Sequence, residues 1–176
     1  MDFTYYLRNS IDEYENSEIS GHYIDLFDEN THELLEYTIE DFLSDDLSNA
    51  FLILGDYGCG KTTFLLHLLY RLAKNYIYGD GEYIPLFIQL RDYTKAIDFE
   101  NLFGNFFAKK CNICNSSHQT FEFLQKCKKF VILFDGFDEV AKRVNYDVKF
   151  EVFNEICKYA VEDTKIIPPV RLDFSK

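Results

Sequence analysis

Eight consecutive residues, Gly55-Asp56-Tyr57-Gly58-Cys59-Gly60-Lys61-Thr62, constrain this chain more than any other stretch. They satisfy G-x-x-x-x-G-K-[ST], with the apolar run AFLILG (50–55) leading in and the mostly apolar TFLLHLLYRLAKNY leading out. A buried strand, a glycine-rich turn and a helix follow one another in that order. The glycines let backbone N–H groups turn inward and come close to an anion. The helix starting near Lys61 aims the positive end of its dipole at the same point. The pattern therefore predicts a phosphate-binding loop. Lys61 is expected to reach the β- and γ-phosphates of a nucleoside triphosphate, and the Thr62 hydroxyl to ligand its magnesium ion. Residues 55 to 62 with Thr63 make up the expected cradle. The bland alternative is an ordinary glycine turn.

A second motif, LFDGFDE (133–139), completes the expected site. The apolar strand delivers Asp135 to the carboxyl edge of a sheet, where ligands bind in such folds. A carboxylate there can hold magnesium, usually through water. Asp138 and Glu139 follow three and four residues later, and one of them is expected to orient or deprotonate the attacking water. Without the loop 74 residues upstream, an acidic surface turn would explain this motif equally well. Guanine specificity normally needs an Asn or Thr-Lys-x-Asp element. Thr94-Lys95-Ala96-Ile97-Asp98 is one residue too long and precedes Asp135, so adenine is favoured by absence.

The rest of the pattern predicts an α/β fold. Strands are expected at 50–55, 83–90, 129–134 and 164–167. Helices are expected within 31–47, after the loop, and at 99–110, 119–127 and 147–163. Strands alternating with helices imply a three-layer domain with a mainly parallel sheet. It is preceded by an acidic helical segment, residues 1–49, ahead of the nucleotide domain at 50–176. His67 lies inside the apolar helix and reads as packed, not catalytic.

Charge divides the chain. Residues 1–50 hold 14 acids against one base, Arg8, while residues 51–176 hold 16 acids and 17 bases. An acidic first third repels a phosphate backbone, so direct nucleic-acid binding is not expected. That segment reads either as a solvated helical face or as a docking surface for a basic partner. No run approaches the ~18 apolar residues of a membrane span, and the start has no secretory pattern. The expectation is a cytoplasmic chain without membrane contact. Its five cysteines read as free thiols. Cys111, Cys114, His118 and Cys127 have no defensible zinc spacing.

Together, GDYGCGKTTFLLHLLYRLA, YIPLFIQLRDY and FVILFDGFDEV resemble the NACHT NTPase domain, in the STAND branch of the AAA+-like P-loop ATPases. The likeness covers residues 50–167 and extends loosely upstream. There HYIDLFDE (22–29) would lie near the adenine. The resemblance implies a switch that holds ADP at rest, exchanges it for ATP and self-associates or binds protein partners to signal. Related bacterial proteins serve in phage defence and animal ones in innate immunity. By position, Gly55, Gly60, Lys61 and Thr62 would bind phosphate and magnesium (Walker A). Asp135 would hold the metal (Walker B), and Asp138 or Glu139 would support slow magnesium-dependent ATP hydrolysis.

The chain departs from that pattern at Pro168-Pro169-Val170-Arg171, where the family carries a small or hydroxyl residue before a sensor arginine. Prolines fix φ and lack N–H donors, so a strand is not expected to continue through them. Arg171 loses support as a sensor, and a solvated tail residue is the equal reading. Arg91-Asp92 reads as a structural ion pair at the site's edge. The helical and winged-helix regions that close over the nucleotide, and a fifth strand, are not in these 176 residues, so an interrupted or excised reading frame is expected. The alternative function is a non-catalytic scaffold that retains the fold. A small-molecule kinase ranks last, because residues 142–149 offer only Lys142, Arg143 and Lys149 for a basic lid.

Overall fold

The computed structural model describes residues 2–56, 58–90, 99–112, 118–137, 146–161 and 163–170. Three helices come first: α1 (Thr4–Glu15), α2 (Glu18–His22) and α3 (Leu35–Ser44). Then follow β1 (Ile53–Leu54), α4 (Lys61–Tyr78), β2 (Ile84–Gln89), α5 (Phe99–Lys110) and α6 (His118–Gln125). The chain continues through β3 (Phe130–Asp135), α7 (Tyr146–Cys157), β4 (Thr164–Ile167) and β5 (Pro169–Val170). The fold is mixed α/β with parallel strands, as the alternation predicts. Residues 1–49 do form helices.

β2, β3 and β4 pair in parallel and in that order, with Ile84 opposite Phe130 and Phe130 opposite Thr164. β3 is buried from Phe130 to Phe134, which is why its sequence is a continuous apolar run instead of an alternation. On the far side of β4, the Phe51 N–H donates to the Ile166 carbonyl (3.0 Å) and the Ile166 N–H to the Asn49 carbonyl (2.9 Å). β5 then pairs in parallel with β1, Ile53 lying opposite Pro169. From edge to edge the strands thus run β1, β4 with β5, β3, β2.

The proline reading is corrected here. The extended chain does continue beyond Ile167, because Pro168 loses only its donor. Its carbonyl still accepts the Ile53 N–H at 3.2 Å. One rung toward β1 is missing and the pairing resumes on either side of it. What ends at Ile167 is the ladder with β3.

α4 buries Phe64, Leu65, Leu68, Leu69 and Ala73, a stripe of helical spacing, and contacts β2 and β3. Its other side is not solvated. α1 packs along it, and Tyr6, Leu7, Ile11, Ile39 and Phe42 of the acidic segment join the same core as the strands. Phe3, Phe107 and Phe121 gather around Phe130 at the amino end of β3, with ring centroids 5.5–6.1 Å apart across successive pairs. Tyr6 also blunts the sheet edge. Its hydroxyl oxygen accepts the outward-facing Phe87 N–H of β2 at 3.0 Å.

Candidate functional site

The loop between β1 and α4 takes the shape its sequence demands. Gly58 and Gly60 have φ of 81° and 89°. These are left-handed values that cost other residues about 1–2 kcal/mol each. At Gly55 a Cβ would stand 2.7 Å from the Cys59 Sγ, so the Cys59 side chain would have to turn aside. α4 begins at Lys61, with its first internal bond running from the Phe64 N–H to the Gly60 carbonyl (2.8 Å). The amides of that first turn have no acceptor within the helix, and they sit at its positive end. The loop curls around Lys61, whose ammonium donates to the carbonyls of Gly55 (2.7 Å) and Asp56 (2.9 Å). Its Nζ also lies 4.0 Å from the Cys59 Sγ.

β3 ends at Asp135, level with Gln89 of β2. Although the strands bearing the two motifs are separated by β4 and β5, their functional ends meet. The Thr62 Oγ1 donates to the Asp135 Oδ1 at 2.8 Å. Both groups are oxygen donors, and they face solvent at the carboxyl edge of the sheet. A hydroxyl and a carboxylate at this separation suit a small hard cation such as Mg²⁺, which keeps several waters and takes few protein oxygens. The residues present therefore fit the implied metal. Phe137, two positions on, is buried and packs edge-to-face on Phe153 of α7, with centroids 6.2 Å apart. This contact anchors the chain just before the acidic pair.

The structure brings together Gly55, Asp56, Gly58, Cys59, Gly60, Lys61, Thr62 and Asp135, with Thr63 one position further into α4. Tyr57, Asp138, Glu139, Arg91, Asp92 and Arg171 lie outside the described residues, as do Cys114 and residues 94–98. Cys111 is buried in the core, and burial pushes its thiol up to about 12.

One group near the site was not legible beyond a single residue. His67 lies five residues after Thr62 on α4. Its Nδ1 is 2.7 Å from the Tyr14 hydroxyl and its Nε2 is 2.9 Å from the Glu36 Oε1. Tyr23 stacks on the ring, with centroids 3.7 Å apart. Arg71 pairs with both Glu36 and Glu40. The phosphate-loop helix is thus tied to α1, to residue 23 and to α3. Burial lowers the proton affinity of His67 against the pull of Glu36. Nothing in the sequence marks Tyr14, Tyr23 and Glu36 as partners of one histidine. The only hint was a histidine inside the apolar run Phe64-Leu65-Leu66-His67-Leu68-Leu69. Within residues 22–29, Tyr23 lies against α4 while Ile24 and Phe27 are exposed.

A parallel sheet, a glycine loop opening a helix, and a strand-end carboxylate beside that helix's hydroxyl define a P-loop NTPase fold. Within that class, residues 49–158 match the NACHT domain, and this chain belongs to the NACHT family of nucleotide-binding NTPase domains of signalling type. It is also 33% identical over 140 residues to an uncharacterized WD repeat-containing protein of Nostoc sp., an alignment covering 77% of this chain and 9% of that relative. The chain therefore spans about a tenth of that relative's length. Among the described residues no helix is long and apolar enough to cross a membrane.

Proposed function

We propose that this chain binds ATP and ADP with magnesium at the loop of residues 55–63, as the nucleotide switch of a signalling protein. The observation that carries the proposal is the 2.8 Å contact between the Thr62 Oγ1 and the Asp135 Oδ1. It joins two residues 73 positions apart at one point on the sheet edge. Thr62 and Asp135 would hold magnesium, which when bound neutralises charge on the β- and γ-phosphate oxygens. The Lys61 ammonium would exchange its loop carbonyls for phosphate oxygens, and the first-turn amides of α4 would hold the β-phosphate. Asp138 or Glu139, carried just beyond the anchored Phe137, would orient the attacking water and give slow hydrolysis. Adenine remains the expected base. The absence of a guanine-reading element supports it, together with the family. The switch would act through self-association or protein partners in immune or phage-defence signalling, in a cytoplasmic setting. The WD-repeat relative supports a protein-interaction context.

Calorimetric titration of ATP and ADP, with and without magnesium, tests the reading. Wild type should bind, and Lys61→Ala should bind at least about tenfold more weakly, the loss of one or more charge-assisted hydrogen bonds. Equal affinity in the variant would remove the phosphate role. Phosphate release that disappears in Glu139→Gln would establish turnover.

A further inference from the structure

β2 and β3 stay in register along their whole length, and the last pair sets Gln89 directly opposite Asp135. The strand Ile-Pro-Leu-Phe-Ile-Gln is apolar until that final residue. Successive side chains of a strand leave opposite faces of the sheet. Ile88 and Phe134, the pair just before, are buried on one face. Gln89 and Asp135 therefore share the other. That face is the one toward α4, because Asp135 meets Thr62 there. Both residues are half-buried at the carboxyl edge. Neighbouring strands lie about 4.8 Å apart, which puts the Asp135 carboxylate and its surroundings within reach of a glutamine side chain.

The position matters for the metal. Magnesium held by few protein oxygens keeps several waters. Each of those waters is a donor that needs an acceptor, and the groups that supply one behind the direct ligands orient the site. A carboxamide suits this place. Its oxygen accepts from a water, and it brings no charge to repel Asp135 or a triphosphate.

We infer that Gln89 is a positioning residue of the magnesium site, its amide oxygen accepting from a metal-bound water beside Asp135. The inference rests on the reading of Thr62 and Asp135 as the metal's ligands. It adds the neighbouring strand to a site otherwise built from the phosphate loop, α4 and β3.

Calorimetric titration of ATP into the 176-residue chain, with and without magnesium, tests it. Gln89→Leu should bind metal-free ATP as wild type does and lose about tenfold of the affinity gained from magnesium. Gln89→Glu keeps the length and an acceptor oxygen, and should keep the gain. A role in packing alone would give the reverse order, since a half-buried charge is harder to place than a leucine. A full magnesium gain in Gln89→Leu would overturn the inference. So would loss of metal-free binding in that variant, or a Gln89→Glu variant no better than Gln89→Leu. Each of these leaves Thr62 and Asp135 standing as ligands. A wild-type chain that binds ATP with no magnesium gain would instead overturn the metal reading and this inference with it.

Discussion

His67 shows what a polar ring costs and contributes inside a packed helix. The Nδ1 of the neutral ring accepts from the Tyr14 hydroxyl, and its Nε2 lies 2.9 Å from the Glu36 Oε1. Burial and the Arg71 guanidinium disfavour its charged form, and only the carboxylates of Glu36 and Asp25 oppose them. The unfolded chain takes up the histidine proton near pH ~6.5, and the folded chain does so only below that. Between those values the unfolded state binds more protons, so stability rises with pH. This contribution is complete above about 6.5 and is lost as pH falls through the folded value. Urea unfolding of wild type should therefore weaken more between neutral pH and about pH 5 than unfolding of His67→Gln. Equal slopes would show that the ring does not titrate with folding. At the same scale, Gly60→Ala should lower stability by about 1 kcal/mol from its left-handed φ alone. A Cβ there meets nothing within 4 Å, so steric crowding adds no further cost. The loop glycines were readable because left-handed turns leave a residue-type signature. The partners of His67 were not, because they come from three separate segments.

Among the elements, β4 and its continuation tie the sheet together, and one lysine secures them. Lys165 is 2% exposed. Its ammonium donates to the carbonyls of Asp45 (2.6 Å) and Ser48 (2.7 Å), over the Phe42 ring. It pins the end of α3 and the approach to β1 onto the strand beside them. Lys165→Met would leave two carbonyls without their donor. Urea unfolding should show a loss of about 1–3 kcal/mol. Lys158→Met, which removes an exposed pair with Glu155, should stay within about 0.5 kcal/mol. The strands were legible because a strand buried on both faces must be apolar throughout, as 130–134 is. The continuation through Pro168 was not, because a missing donor was taken to end a ladder that acceptors alone can carry across one rung. Lys165 also gave no signal. A lysine in a short strand reads as exposed, and its acceptors lie 117 and 120 residues away.

For the molecule as a whole, the acidic segment and the nucleotide fold share one core. The family match begins at residue 49, yet Leu7, Ile11 and Ile39 are buried with Leu65 and Leu68 of α4, and Tyr6 closes the β2 edge. A chain reduced to 50–176 should lose cooperative unfolding and near-ultraviolet dichroism, since α4 would expose its second packed side. Retention of both would show that the sheet and α4 suffice alone. Composition recorded the charge of this segment but not its inward face, because seven buried apolar side chains are easily masked by 14 acids. The site was more legible. Residues 55–62 and Asp135 could be paired from motif chemistry, although only the fold shows that the Thr62 hydroxyl and the Asp135 carboxylate, carried beyond strands separated by a third, come within 2.8 Å. That contact is the centre of the account, and the magnesium dependence of ATP affinity tests it most directly. Calorimetry should show wild type binding ATP more tightly with magnesium than without. Asp135→Asn should lose most of that gain while binding metal-free nucleotide unchanged. An undiminished magnesium effect in Asp135→Asn would contradict it.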